Sequence, residues 1–284
     1  MKISMIAFLS EEKADPGAIA RRCEELGFEA LFFPEHPVIP VSHRTPFPAG
    51  GPIPEFYSHM PDPFVLLSLA AAHTSRLRIG TGICLVAERN PLLLAKEIAT
   101  LDRYSGGRFI FGVGGGWLAD ETEIMGADFR RRWPITREYI AAMKELWSRS
   151  EASFQGKFIS FPAVRSYPKP VQKPHPPIFI GAAGERALKN VVAFANGWMP
   201  LHHSAEQIAE GVARLRELCS EAGRRFEDLE ISVSGPQVAK GESPKEARER
   251  YRAAGAHRII LSVHKLAPRE FEAELEQLAK EWMD

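Results

Sequence analysis

A glutamate and a histidine stand side by side just past a predicted β-strand. Glu35 and His36 follow the apolar run from Ala30 to Phe33, with one proline between. Histidine is the side chain best suited to exchange protons near neutral pH, and a neighbouring carboxyl group can take part in the same transfer. We expect His36 and Glu35 to act as general acid or base. A loop histidine considered without its place in a fold is more often a surface or hydrogen-bonding residue.

A glycine-rich segment, Gly112-Val-Gly-Gly-Gly-Trp117, follows another predicted strand. It resembles a dinucleotide-binding fingerprint but fails the test for one: Trp117 stands where a Rossmann motif has its third glycine, and an acidic residue is required about 20 positions later. Because glycine has no Cβ, such a strand end lets a flat or anionic ligand approach the backbone closely. The alternative is that these glycines serve tight packing.

A second glycine-containing segment, Gly181-Ala-Ala-Gly-Glu-Arg186, joins a predicted strand to a predicted helix. The free N–H groups and the positive end of the helix dipole suit a phosphate group. Arg186 would add charge and a fork of donors to the same group. The alternative is an ordinary turn with Arg186 in solvent.

Other chemistries find little support. His202 and His203 are adjacent and point to opposite faces of a strand, and there is no His-Glu-x-x-His motif, so we expect no catalytic metal. No Gly-x-Ser-x-Gly elbow for a serine nucleophile occurs. Nothing indicates desolvation of the lysines that could form a Schiff base, Lys189, Lys240 and Lys265. An odd number of dispersed cysteines, with no Cys-x-x-Cys, argues against disulfides and a zinc ribbon: Cys23, Cys84 and Cys219.

Eight strand-like runs alternate with helix-like stretches along the chain. A polar residue followed by proline opens several of these helices and glycine closes them, as at Asp15-Pro16 and Gly27. The predicted strands are Ile3 to Phe8, Ala30 to Phe33, Leu77 to Leu85, Phe109 to Val113, Ile178 to Gly181, Trp198 to Leu201, Ile231 to Ser234 and Arg258 to Val263. The predicted helices cover residues 15 to 26, 63 to 74, 91 to 104, 136 to 149, 185 to 195, 204 to 222, 244 to 254 and 268 to 283.

Strict alternation of eight strands and eight helices predicts an α/β fold, a (βα)8 TIM barrel formed by residues 1 to 284 as a single domain; a doubly wound open sheet is the alternative. Two proline-rich insertions interrupt the alternation. Pro34 to Pro61 follows the second strand on the face where barrel active sites lie, and we interpret it as a lid or pocket wall. Glu151 to Pro177, between the fourth helix and the fifth strand, could pack across the barrel or against a partner.

Charge and hydropathy narrow the classes of partner. The 284 residues carry 36 Lys and Arg against 36 Asp and Glu, so no overall field attracts nucleic acid or anionic lipid. No apolar run approaches the length of a transmembrane helix, and the first residues lack a signal-peptide layout. We therefore expect a cytoplasmic protein that binds neither nucleic acid nor a membrane.

Several motifs together resemble the bacterial luciferase-like family: Leu31-Phe-Phe-Pro-Glu-His36, Leu77-Arg-Ile-Gly-Thr-Gly82, the run from Arg89 to Arg108, Gly112 to Trp117, and Pro177 to Gly184. The resemblance implies a TIM barrel that binds FMN or the deazaflavin coenzyme F420, and the Arg89-Asn-Pro91 run with Trp117 is most similar to the deazaflavin branch. It also implies pairing of barrels into a homodimer.

The resemblance assigns roles residue by residue. The end of the third strand would face the isoalloxazine ring, often through a strained peptide bond, and comprises Gly80, Thr81, Gly82, Ile83 and Cys84. The ring or its tail would be bordered by Gly114, Gly115, Gly116 and Trp117. The phosphate would be held by Gly181, Ala182, Ala183 and Gly184, with Arg186. His36 would lie near the reactive ring atoms.

One departure affects the proton donor. Several deazaflavin-dependent relatives place a glutamate directly after the strand-four glycines, where this chain has Trp117. Glu121 and Glu123 lie one turn later and cannot inherit that role by alignment. Glu35 and His36 therefore remain the candidates.

The family resemblance implies an oxidoreductase that moves hydride between F420 and a small organic substrate, positioned by the protein while the cofactor carries the hydride. An FMN-dependent monooxygenase supplied with reduced flavin by a separate reductase is the alternative, and a non-catalytic flavin-binding protein is a third reading. We expect the insertion to wall the substrate pocket with Phe47, Phe56 and Tyr57.

Overall fold

The computed structural model of the protein describes residues 1–263 and 267–283. The strands are β1 (Lys2–Ala7), β2 (Ala30–Phe33), β3 (Arg78–Thr81), β4 (Cys84–Leu85), β5 (Phe109–Gly114), β6 (Ala152–Gln155), β7 (Ser160–Val164), β8 (Ile178–Ile180), β9 (Gly197–Trp198), β10 (Glu230–Ser234) and β11 (Arg258–Val263). The helices are α1 (Pro16–Leu26), α2 (Pro63–Ala72), α3 (Pro91–Tyr104), α4 (Ala119–Ile124), α5 (Arg132–Ser148), α6 (Glu185–Phe194), α7 (Ala205–Glu221), α8 (Pro244–Ala253) and α9 (Phe271–Met283). Lys265, one of the Schiff-base candidates, lies outside the described residues.

Within these residues, eight parallel strands close into a barrel with the helices around it, which confirms the predicted TIM barrel. The strands pair in the order β3, β2, β1, β11, β10, β9, β8 and β5, and β3 pairs with β5 to close the ring. Because all strands are parallel, their carboxyl ends meet at one face. The open-sheet alternative is thereby wrong.

The third predicted strand is divided in two. Leu77 to Leu85 was predicted as continuous, whereas β3 ends at Thr81 and β4 begins at Cys84. The Gly82–Ile83 peptide bond between them is cis. β4 still pairs with β5, with Cys84 opposite Val113, so the chain remains in the barrel wall while its direction changes at the mouth.

The capping residues explain where the helices begin. The side chains of Asp15, Asp62 and Asn90 accept hydrogen bonds from backbone N–H groups of the first helical turn, and each is followed by proline at the first helical position. Ser204 and Ser243 form capping boxes. The predicted starts of α1, α2, α3 and α8 therefore agree with the structure to within one residue.

Three segments differ from the sequence prediction. The helix expected from residue 136 begins at Arg132, because Pro134 lies within its first turn, where a proline removes no helical hydrogen bond. The short helix α4 was not predicted; it lacks the proline and glycine signals that mark the longer helices. The second insertion, predicted as a loop, contains the antiparallel hairpin β6–β7, in which Phe154 and Phe161 stack with ring centroids 6.3 Å apart.

Most of the hydrophobic core lies between the strands and the surrounding helices. A smaller apolar cluster fills the barrel interior, with Phe32 and Phe179 among its members. Below it, at the amino-terminal end of the barrel, the fully buried Arg258 pairs with Glu29 and Glu230. Among the described residues, no helix is long and apolar enough to cross a membrane.

Candidate active site

A cavity of about 440 Å³ opens at the carboxyl-terminal end of the barrel. Its lining combines apolar side chains, glycine backbone and a few polar groups. The residues proposed from the sequence that line it are Glu35, His36, Tyr57, Gly82, Ile83, Gly114, Gly115, Gly116, Trp117, Gly181, Ala182 and Ala183. They come from four strand ends and from the first insertion, so the barrel brings together segments that are far apart in sequence.

The remaining candidates lie next to this cavity rather than in its lining. Gly80, Thr81 and Cys84 are within the barrel wall, where the Thr81 hydroxyl donates a hydrogen bond of 2.7 Å to the Gly112 carbonyl oxygen. At Gly80 a Cβ would lie 2.6 Å from the Phe32 ring, so close strand packing accounts for this glycine.

His36 is held by a glutamate that the sequence argument set aside. Its Nδ1 lies 2.7 Å from Oε2 of Glu121, and the side chains are 9% and 1% exposed. The Val38 N–H donates to the other Glu121 oxygen at 3.4 Å. Glu121 thus fixes the ring with Nδ1 toward helix α4. The sequence carried no signal for this contact, because the insertion and α4 meet only in the folded chain.

Glu35 has its two oxygens engaged by other partners. Nε of Arg89 donates to Oε1 at 2.6 Å, and the Leu85 N–H donates to Oε2 at 2.7 Å. Arg89 also donates to Asp62 at 2.5 Å. Glu35 and Asp62 flank the first insertion on its two sides, so Arg89 ties both ends of this segment together.

Aromatic rings from the first insertion and from the segment after β5 cover one side of the cavity. The Tyr57 and Trp117 rings line it, with centroids 5.1 and 5.8 Å from the His36 ring. Phe47 packs edge-on against both of these rings, and Phe56 lies 4.6 Å from Tyr57. Phe47 and Phe56 therefore support the wall from behind.

Ile83 forms an apolar surface between two glycines. A Cβ added at Gly114 would lie 2.4 Å from its Cδ1, and one added at Gly181 would lie 2.3 Å from its Cγ2. Only glycine lets the strand ends approach this side chain so closely. The result is an apolar floor beside the backbone of β5 and β8, which suits a flat ring.

The segment that leads from β8 into helix α6 suits an anion. Helix α6 begins at Glu185, directly after Gly184, whose φ of 83° favours glycine. Arg186 lies exposed in its first turn. Burial lowers the pKa of the Arg132 guanidinium, and the nearby charge of Arg186 lowers it further. Arg132 also lines the cavity. It was not predicted from the sequence, because it does not follow a predicted strand.

Glu88 is a buried acid close to Glu121, the partner of His36. It accepts a hydrogen bond of 2.8 Å from the Thr122 hydroxyl, and burial raises its pKa to about 8. Among the described residues, no group of three or more His, Cys, Asp or Glu side chains is arranged to hold a metal ion. The site thus combines a histidine held by a glutamate, the apolar surface of Ile83 and the guanidinium of Arg132.

Comparison with known proteins supplies the family. Residues 9–283 match the family model described as luciferase-like monooxygenase. A Mycobacterium tuberculosis protein described as uncharacterised is 40% identical over 79% of this chain and 80% of its own length. The FMNH(2)-dependent dimethylsulfone monooxygenase of Pseudomonas putida is 30% identical over 62% of this chain and 48% of its own length.

A solved structure shares the fold over the whole chain. The coenzyme F420 dependent tetrahydromethanopterin reductase of Methanopyrus kandleri superposes with a TM-score of 0.75 at 18% identity, covering 100% of this chain and 99% of that one. The family match covers residues 9–283, which is more than half of the chain and includes the ends of β2, β3, β5 and β8 at the cavity. The chain therefore belongs to the luciferase-like monooxygenase family.

Proposed function

We propose that this protein is an oxidoreductase that transfers hydride between coenzyme F420 and a small organic substrate. The observation that carries the proposal is the His36–Glu121 pair at a cavity whose lining combines the apolar Ile83 with Arg132. The reductase of M. kandleri, which shares the fold, is F420-dependent. The Arg89-Asn-Pro91 motif is a second support.

The residues present fit such a cofactor. When bound, the deazaflavin supplies the hydride. The apolar surface of Ile83 and the glycine backbones beside it would hold a flat ring, and the first turn of α6 with Arg186 and Arg132 would hold its phosphate.

His36 is the group we assign to proton transfer. Because Nδ1 faces Glu121, Nε2 is the nitrogen available to give a proton to a substrate oxygen or to take one from it. Glu121 fixes the ring orientation and stabilises the positive charge when the imidazole is protonated. Tyr57 and Trp117 exclude water from the reacting atoms. Glu35, whose oxygens already accept hydrogen bonds, positions Leu85 and Arg89.

An FMN-dependent monooxygenase is the second candidate. The relative in P. putida, which is 30% identical, is FMNH(2)-dependent. In that case a separate reductase would supply reduced flavin, and the phosphate end of the cavity would serve FMN in the same way. The difference between the two candidates is therefore the ring and the use of oxygen.

Titration of the purified protein with F420 and with FMN, followed by fluorescence, tests the proposal. We expect tighter binding of F420, and oxidation of reduced F420 by substrate without oxygen consumption. Tighter binding of FMN together with oxygen consumption would replace the first candidate by the second. Binding of neither cofactor would contradict both.

We also propose that the protein forms a homodimer through its barrel helices. Val65 and Leu69 of α2 and Leu93 of α3 are 60%, 40% and 59% exposed, which leaves apolar side chains on the outside of two helices. Sedimentation of wild type and of Val65→Glu tests this: we expect the wild type at dimer mass and the variant shifted to monomer. A monomeric wild type would contradict it.

A further inference from the structure

Three buried carboxyl groups lie close to one another beside the cavity, and one of them, Glu121, holds His36. Their partners differ. Glu35, Glu88 and Glu121 are 3%, 7% and 0% exposed. Glu35 pairs with Arg89, and Glu121 pairs with His36. Glu88 has no cationic partner among the described residues. A buried carboxyl group without such a partner is strongly favoured in its neutral form.

The surroundings of Glu88 leave part of its carboxyl group unsatisfied. Oε1 accepts the hydrogen bond from Thr122, while Oε2 is buried with no hydrogen-bond partner among the described residues. A Cβ added at Gly116 would lie 3.5 Å from Oε1, and Gly116 lines the cavity. Glu88 therefore lies directly behind the cavity wall, separated from it by a residue without a side chain.

The charged groups that face Glu88 are two other acids. Glu121 comes from α4, one residue before Thr122, and Glu35 comes from the first insertion; both raise the pKa of Glu88, in addition to the larger effect of burial. Arg89, the next residue, directs its guanidinium to Glu35 and Asp62. A negative charge on Glu88 would therefore meet like charges on two sides.

We propose that Glu88 is a positioning residue of the His36–Glu121 pair: it holds the proton of this three-carboxyl cluster, so that the negative charge beside His36 stays on Glu121. Loss of that proton places a second negative charge next to the pair and changes its electrostatic environment. The step is a simple acid dissociation, with the proton released to water. The effect on turnover rests on the proposed function, whereas the protonation of Glu88 does not depend on it.

Histidine-labelled protein without cofactor provides the first test. We expect the ring signals of His36, assigned by their absence in His36→Asn, to shift in a step near pH 8 as Glu88 ionises. Glu88→Gln cannot ionise and should lack the step. Thr122→Val removes the hydroxyl that favours the ionised form, so the step should move to higher pH. Glu123→Gln, an exposed acid on the same helix, serves as control and should leave the step in place.

The opposite results would overturn the proposal. It fails if the wild type shows no step, if the step persists in Glu88→Gln, or if it moves to lower pH in Thr122→Val. The Thr122 variant keeps the test valid should the Glu88 variant fail to fold.

The pH profile of kcat/KM provides the second readout. We expect an inflection near pH 8 in wild type that Glu88→Gln lacks. An unchanged profile would refute the catalytic consequence. Failure of the proposed function is recognised separately, since it would abolish turnover with both cofactors while the histidine step remained.

Discussion

The two ends of the barrel both bury charged side chains, yet they pair them differently. At the amino-terminal end the guanidinium of Arg258 pairs with Glu29 and Glu230, and the Ser4 hydroxyl accepts from it as well. At the carboxyl-terminal end His36 has one nitrogen bound to Glu121, and in the described part of the chain Glu88 has no cationic partner.

This difference indicates that the buried charges at the amino-terminal end serve stability and that those at the carboxyl-terminal end serve chemistry. A buried charge whose partners are complete helps to fix strand register and has little left to offer a ligand, whereas incompletely satisfied groups at a cavity are free to bind or to exchange protons. The usual division of labour in TIM barrels, with catalysis at the carboxyl ends of the strands, agrees with this arrangement.

The largest effect is expected at the mouth. His36→Asn should lower turnover by about 10² to 10⁴, the range for losing a general acid or base, because His36 is the one histidine among the described residues that line the cavity. Cofactor affinity should stay within a few-fold of wild type. Rapid-mixing kinetics and fluorescence titration measure the two quantities. His43→Asn, in the same insertion but exposed, is the matched control. Normal turnover in His36→Asn would contradict the catalytic role of His36, whereas lost turnover with the cofactor still bound would exclude a non-catalytic flavin-binding protein.

At the amino-terminal end of the barrel we expect stability to change and turnover to stay the same. Arg258→Met leaves Glu29 and Glu230 without their buried cation and should lower the free energy of unfolding by about 3 to 5 kcal/mol. Turnover per folded molecule should be unchanged. Urea unfolding and active-site titration measure these. Arg225→Met, an exposed residue whose ion pair spans 3.8 Å, should cost less than about 1 kcal/mol. A stable but inactive Arg258 variant would break the comparison.

An intermediate effect is expected at Arg89, whose ion pairs hold the first insertion next to the site. Arg89→Lys loses the forked donor set that joins Glu35 to Asp62, so the first insertion should be held less accurately. We expect kcat to fall by about 10- to 100-fold, since small misplacements of reacting groups are costly. Steady-state kinetics and thermal unfolding measure it. A fall in stability alone, with kcat unchanged, would assign Arg89 to the scaffold.

The smallest effect concerns the aromatic wall. Trp117→Ala removes a ring that lines the cavity and should weaken cofactor or substrate affinity by about 10-fold. Phe56→Ala removes a supporting ring and should have a smaller effect in the same direction. Binding titrations compare the two variants. Unchanged affinities in both would show that neither Trp117 nor the first insertion, through Phe56, forms the pocket wall.

The barrel was predictable because its signals are local. The Asp15-Pro16 and Asn90-Pro91 pairs cap helices through their own side chains, whatever surrounds them. Once the alternation predicts a barrel, the strand ends at Gly82, Gly114 and Gly181 must meet at one face. The placement of glycine-rich segments around one cavity follows from that geometry.

The charge network was not predictable, because it depends on contacts between distant segments. Glu121 reaches His36 only when α4 packs against the first insertion, and α4 has six residues with no capping hydrogen bond to mark its start. The exclusion of Glu121 by alignment rested on its distance from Trp117 along the chain. Glutamate and arginine are usually surface residues, so nothing in the sequence distinguishes Glu88 and Arg132. Only their burial in the folded chain does so.

A crystal structure of the protein with coenzyme F420 tests the central claim most directly. The account predicts the ring on the apolar surface of Ile83, beside Gly114 to Gly116 and within reach of His36 Nε2, with the phosphate at Ala182 to Gly184. An empty cavity at saturating cofactor, or a ring bound elsewhere on the barrel, would contradict it.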